Sequence, residues 1–152
     1  MDTINSLSQI DKIPMLSRAS IFTGVGFIEQ KMLADKCTVV AYKPEETVIE
    51  QGEIGDRLYI IIKGTVEVCV KTNSKGGKRI NTLGPGDVFG EIAILRNIRR
   101  TARIVTITAC QFLTINAKDF LDVYQYFPAR ARDNIQLVVA KRLQESGVYV
   151  RM

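Results

Sequence analysis

The sequence predicts a mainly β domain with added helices: an antiparallel β-roll of the jelly-roll kind, flanked by N-terminal helices and two C-terminal helices. Two observations carry this. Between residues 37 and 116, short β-rich runs follow one another at close and regular spacing, divided by Gly or Pro turns, which is the pattern of a barrel or jelly roll. On both sides of that region the apolar residues change to helical spacing. A chain of 152 residues is of ordinary single-domain size and buries its own core. The expected organisation is a helical segment over 1–36, the β-roll over 37–116 and C-terminal helices over 117–146.

Each element has its own justification. Residues 4–36 read as helical, and the breaks at Ile13-Pro14 and Gly24-Val25-Gly26 leave about three short helices. Phe27, Ile28, Met32 and Leu33 repeat at helical spacing. Strands follow at 37–42, 47–50, 58–62 and 66–70, with turns at Lys43-Pro44, Gly52/Gly55 and Gly64. The polar run 73–78 reads as a hairpin loop, and further strands are expected at 102–107 and 110–115. Asp119, Phe120, Val123 and Tyr124 fit a helix with Asn116 as its N-cap. After a bend at Phe127-Pro128, residues 129–145 place Ile135, Val138, Val139 and Leu143 on one face, with Arg130, Arg132, Lys141 and Arg142 elsewhere. Gly147 is the expected stop.

Composition excludes several function classes. Hydrophobic content of 46% and charged content of 24% suit a soluble globular protein. No apolar run has the length needed to span a bilayer. The N-terminus lacks a basic region followed by an apolar one, so no signal peptide is expected. Cys37, Cys69 and Cys110 are widely spaced, which is neither a disulfide framework nor a zinc pattern. Two of them lie in strand-like runs, where a free Cys acts as a small hydrophobe. A reducing, cytoplasmic setting is expected. The chain has no His, which removes the commonest general base and the His-based metal centres of many β-barrel enzymes. With no nucleophile–base pair visible either, no enzyme, no metal site and no cofactor is expected. The net charge of +5 is modest; it is compatible with a polyanionic partner, and a small anionic ligand is a sufficient reason for some of it.

The most informative stretch is 83–103, L-G-P-G-D-V-F-G-E-I-A-I-L-R-N-I-R-R-T-A-R. A turn that ends at Gly90 and opens a short helix presents free backbone N–H groups, which favour an anion. Gly90 lets that backbone approach a ligand closely. Ile92 and Ala93 supply amides at the helix start, and Ala93 is small enough for close approach. Arg100 adds a planar guanidinium suited to two phosphate oxygens. Glu91 is out of place beside a phosphate unless it serves another group, and a sugar hydroxyl is such a group. Phosphate plus ribose hydroxyl points to a nucleotide. Thr101 offers a hydroxyl to a phosphate oxygen or a base edge, or is a β-propensity choice in a strand. Ala102 follows it. Gly55, Gly64 and Gly84 read as turn positions, and Val68 and Val70 as inward-facing or core.

Phe89-Gly90-Glu91-Ile92-Ala93-Ile94-Leu95 with Arg100-Thr101-Ala102 resembles the phosphate-binding cassette, here 84–102, of the cyclic-nucleotide-binding domain family. A second stretch, G-E-I-G-D-R-L-Y-I-I-I-K-G-T-V-E-V at 52–68, is similar to the region upstream of that cassette. The resemblance covers about residues 20–145 and implies a regulatory domain for cAMP or cGMP. It assigns ligand contact to Gly90, Glu91, Ile92, Ala93, Arg100, Thr101, Ala102 and Arg142. Of these, Arg142 comes from the last helix, which in the family closes over the nucleotide as a lid; Lys141 is its alternative, and a solvated basic face is the plainer reading of both.

Arg99 stands where many members have Pro, and R-N-I-R-R-T-A resembles the cyclic-nucleotide-regulated channels. An ion channel or transporter is therefore the expected effector, with a kinase or exchange-factor regulatory domain, or a non-binding interaction scaffold, as alternatives. A homo-oligomer in the parent protein is allowed; nucleic acid and direct membrane insertion are not expected as partners. Residues 1–36 contain no pore, kinase or DNA reader, which suggests a module of a larger protein. A catabolite-activator type of transcription factor would need a helix-turn-helix beyond the lid, and none is read up to Met152.

Overall fold

The computed structural model describes residues 2–4, 9–72 and 77–146. In chain order these form β1 (Asp2–Ile4), α1 (Gln9–Arg18), a 3-10 turn (Ser20–Phe22), α2 (Phe27–Lys36), β2 (Thr38–Tyr42), β3 (Thr47–Ile49), β4 (Arg57–Lys63), β5 (Val66–Val70), β6 (Lys78–Leu83), β7 (Val88–Phe89), α3 (Glu91–Arg96), β8 (Arg103–Thr106), β9 (Cys110–Asn116), α4 (Ala117–Tyr124) and α5 (Ala129–Ser146). The strands make two sheets, β1-β2-β9-β4-β7 and β3-β8-β5-β6. Every pairing between them is antiparallel. The fold is the antiparallel β-roll with helices at both ends.

Two apolar clusters hold it together. One lies inside the roll and joins Tyr59, Phe89 and Phe112 to Val40, Ile61 and Val66. The Phe89 ring stacks on Tyr59 with centroids 4.9 Å apart and meets Phe112 edge-on at 5.2 Å. The other packs the helices on the outer face of the five-stranded sheet, through Leu16, Leu33, Phe120, Phe127, Ile135 and Leu143. Burial of this kind is the main favourable term in folding. The Asn116 N-cap holds: its side-chain oxygen accepts from the Asp119 N–H at 2.8 Å.

Four elements depart from the sequence reading, one of them α1, which runs through Pro14 where a break was expected. Residues 2–4 are a strand and not helical, because they pair with Val39–Ala41 at the sheet edge. β6 carries K-R-I-N-T-L, with little apolar alternation, and is held by pairing with β5. β7 is only two residues long and exists because Val88 and Phe89 pair with Ile60 and Tyr59. The expected stop at Gly147 and most of the 73–78 loop lie outside the described residues.

Candidate functional site

The corner between β7 and α3 is set by Gly90, which sits in the left-handed region at φ 88° and precedes the first helical residue. A Cβ there would lie 2.9 Å from Arg100 Nη1 and 3.0 Å from the Arg57 carbonyl oxygen, so both the backbone and the space require glycine. α3 is short and ends at Asn97, itself left-handed, whose N–H returns to the Ala93 carbonyl. That return aims the spacer back towards the loop before β4. There the Arg100 N–H donates to the Glu53 carbonyl at 2.8 Å, and the Gly52 N–H donates to the Arg100 carbonyl at 2.9 Å.

The Arg100 side chain is 7% exposed. Nη1 donates to the Gly90 carbonyl and Nη2 to the Arg57 carbonyl, each at 2.7 Å. A guanidinium carries five N–H donors, so fixing it this way leaves others for a ligand. Burial lowers its pKa, against the opposing pull of Tyr59, Asp56, Glu91 and Glu53. Its charge is thus held by carbonyl dipoles and surrounding charge, without a direct carboxylate partner in hydrogen-bond contact among the described residues.

Glu91 is 2% exposed. One carboxylate oxygen accepts from Arg142 Nη1, which also donates to the Val88 carbonyl. The other, Oε2, is buried with no hydrogen-bond partner among the described residues. A buried carboxylate oxygen without a donor is costly, and a ligand hydroxyl placed against it removes that cost.

All eight residues singled out from sequence, Gly90, Glu91, Ile92, Ala93, Arg100, Thr101, Ala102 and Arg142, line one recess between the roll, α3 and the end of α5. Arg142, for which a solvated basic face is the plainer sequence reading beside ligand contact, has Glu91 as a partner 51 residues away in the fold. Lys141 is exposed instead. Gly55, read as a turn position, also belongs here: a Cβ on it would lie 2.5 Å from Ala93 Cβ and 2.9 Å from Arg100 Cζ. Asn81, Glu145 and Ser146 line the recess too and were not foreseen, Asn81 because its strand was not. No group of three or more His, Cys, Asp or Glu side chains suited to a metal occurs among the described residues.

Comparison with known proteins decides the family. The model of the cyclic nucleotide-binding domain matches residues 39–127. The chain belongs to the cyclic nucleotide-binding domain family. A CRP-like cAMP-activated global transcriptional regulator of Mycobacterium tuberculosis is 31% identical over 88% of this domain and 59% of its own length. A cAMP-dependent protein kinase regulatory subunit of Yarrowia lipolytica is 33% identical over 69% of this chain and 27% of its own. A solved structure described as Sp-2Cl-cAMPS bound to PKAR CBD2 is 29% identical, covers 93% of this chain and 95% of that one, and superposes with a TM-score of 0.72. The chain thus spans less than two thirds of the length of these two regulators.

These cyclic nucleotide-binding relatives are regulatory proteins of kinase and transcription-regulator type, and the expected channel effector finds no support in them. The spacer that suggested a channel lies on the surface. Arg96, Asn97 and Arg99 are exposed, and Arg99 donates to the Gly52 carbonyl at 3.1 Å. Among the described residues no helix is long and apolar enough to cross a membrane.

Proposed function

We propose that this domain binds cAMP or cGMP reversibly and regulates an attached effector, without altering the nucleotide. The observation that carries the reading is the juxtaposition, in one recess, of a buried guanidinium with N–H groups to spare and a buried carboxylate oxygen with no donor. A cyclic phosphate meets the first and the ribose 2′-OH the second. The amides at the start of α3 add donors for the phosphate. Thr101 and Ala102 form the neighbouring wall.

Arg142 ties the last turn of α5 to the same carboxylate that would take the ribose. Nucleotide binding and the seating of α5 therefore share a residue, and a ligand that favours one position of α5 shifts the population towards it. The relatives' kinds favour a kinase regulatory or transcription-regulatory assembly in the cytoplasm as the effector. The joint presence of Glu91 and Arg100 in one recess argues against the scaffold alternative.

The test is equilibrium dialysis against cAMP and cGMP followed by chromatography of the bound fraction. Retained and unchanged nucleotide is expected. Absence of retention, or conversion to the linear monophosphate, contradicts the reading.

A further inference from the structure

The recess brings together residues of different chemistry. Arg100, Gly90 and Glu91 define the phosphate and ribose end. The same recess is lined by Val68 and Ile80 from the roll, by Asn81, the strand partner of Val68 on β6, and by Glu145 and Ser146, about one turn beyond Arg142 on α5. Two of these carry unused hydrogen-bonding groups of opposite kind. The Asn81 side-chain oxygen is occupied, accepting from the Thr82 N–H at 2.8 Å, so what Asn81 has left to offer is its amide N–H₂. Glu145 presents a carboxylate, an acceptor only, and no hydrogen bond or ion pair engages it among the described residues. Ser146 is less available, because its hydroxyl donates to the Leu143 carbonyl at 2.8 Å.

From this juxtaposition we infer that the base end of the recess selects guanine over adenine, with Glu145 and Asn81 reading opposite groups of the base. This rests on the nucleotide reading above and deepens it. Guanine carries two adjacent donors, N1–H and the 2-amino group, which match both oxygens of one carboxylate. Its O6 and N7 are acceptors for an amide N–H₂. Adenine offers a carboxylate one donor, the 6-amino group, beside the N1 lone pair, which repels it. Adenine also puts that amino group where guanine has O6, so the Asn81 amide meets a donor. The same two residues therefore attract one purine and oppose the other, which is how discrimination arises between ligands of equal size. A bidentate pair of this type separates bases by about tenfold or more. Both residues lie at an exposed rim, where water competes, so the lower figure applies.

The test is calorimetric titration of the full chain with cGMP, cAMP and cyclic inosine monophosphate, which keeps O6 and N1–H and lacks the 2-amino group. The expected order is cGMP, then the inosine nucleotide, then cAMP, with cGMP about tenfold tighter than cAMP. Glu145→Gln places an acceptor and a donor side by side, the complement of the adenine N6/N1 edge, and shifts the ratio towards cAMP. Asn81→Ala also lowers the ratio of cGMP to cAMP affinity. If cAMP binds as tightly as cGMP or tighter, or if Glu145→Gln leaves the ratio unmoved, the base assignment is overturned while nucleotide binding stands. If none of the three nucleotides binds, the underlying reading falls and this one with it.

Discussion

Gly55 separates two effects that glycines usually mix. Its backbone is not in the left-handed region, yet a Cβ there would press on Ala93 and on the Arg100 guanidinium carbon. Gly52 is the converse: it sits at φ 90° with nothing within 4 Å of the added atom. Gly55→Ala is therefore expected to displace Arg100 and weaken nucleotide binding by about tenfold, equivalent to about 1.4 kcal/mol. Gly52→Ala instead strains a turn at a cost of about 1 kcal/mol and lowers affinity less than Gly55→Ala does, since it meets no side chain of the site. Thermal melts paired with titration distinguish the two. Equal affinity in Gly55→Ala and the wild type would show that Arg100 does not depend on this contact.

At the scale of elements, α5 is the part built to respond. It buries Ala131, Ile135, Val139 and Leu143, and its N-terminal half is pinned by the Asn134 side chain donating to the Ile21 carbonyl at 3.2 Å. Beyond Val139, polar tethering comes from Arg142 at Glu91 and Val88. A helix segment with so little polar tethering opens locally more readily than the core. Saturating nucleotide is expected to slow amide exchange over 139–146 more than over Leu58–Ile61 in β4, which is protected in either state. Arg142→Ala should abolish most of that difference. Equal exchange with and without nucleotide would remove α5 from the mechanism.

The same element shows what the sequence discloses and what it withholds. The apolar face of α5 was legible because Ile135, Val139 and Leu143 recur at helical spacing, a local property. Gly90, Glu91 and Arg100 were legible because they fall within one short stretch whose spacing has a chemical reason. β6 and β7 were not, since their strand character comes from partners in β5 and β4 and not from their own residues. For the same reason the Arg142–Glu91 pair, the approach of Gly55 to Arg100 and the place of Asn81 at the recess needed the fold. Each joins segments remote in sequence, and no spacing rule reports them.

On the scale of the whole molecule, burial sets how stability responds to alkali. Cys37 is 2% exposed, and burial pushes its thiol up to about 12 from an ordinary 9.0, with Lys12 pulling the other way. Burial also raises Tyr42 and Tyr59. A group that keeps its proton longer in the folded state adds stability fully present below its unfolded pKa and lost as pH rises through the folded value. The urea midpoint is thus expected to be level below pH 9 on account of Cys37 and to fall between 9 and 12. Cys37→Ala should fall less steeply over that window. A parallel decline in both proteins would show that the thiol is not the cause.

The central claim is that one recess, with Arg100 at its phosphate end, holds a cyclic nucleotide. Calorimetric titration of the wild type and Arg100→Ala with cAMP and cGMP tests it most directly, with Arg99→Ala as the control, since Arg99 is exposed and meets the Gly52 carbonyl. Losing one partner of a desolvated charge pair costs about 2–5 kcal/mol. The account predicts stoichiometric binding of at least one nucleotide by the wild type, a loss of more than tenfold in Arg100→Ala with the circular dichroism spectrum unchanged, and little change in Arg99→Ala. No heat from the folded wild type with either nucleotide, or the same affinity in Arg100→Ala, would contradict it.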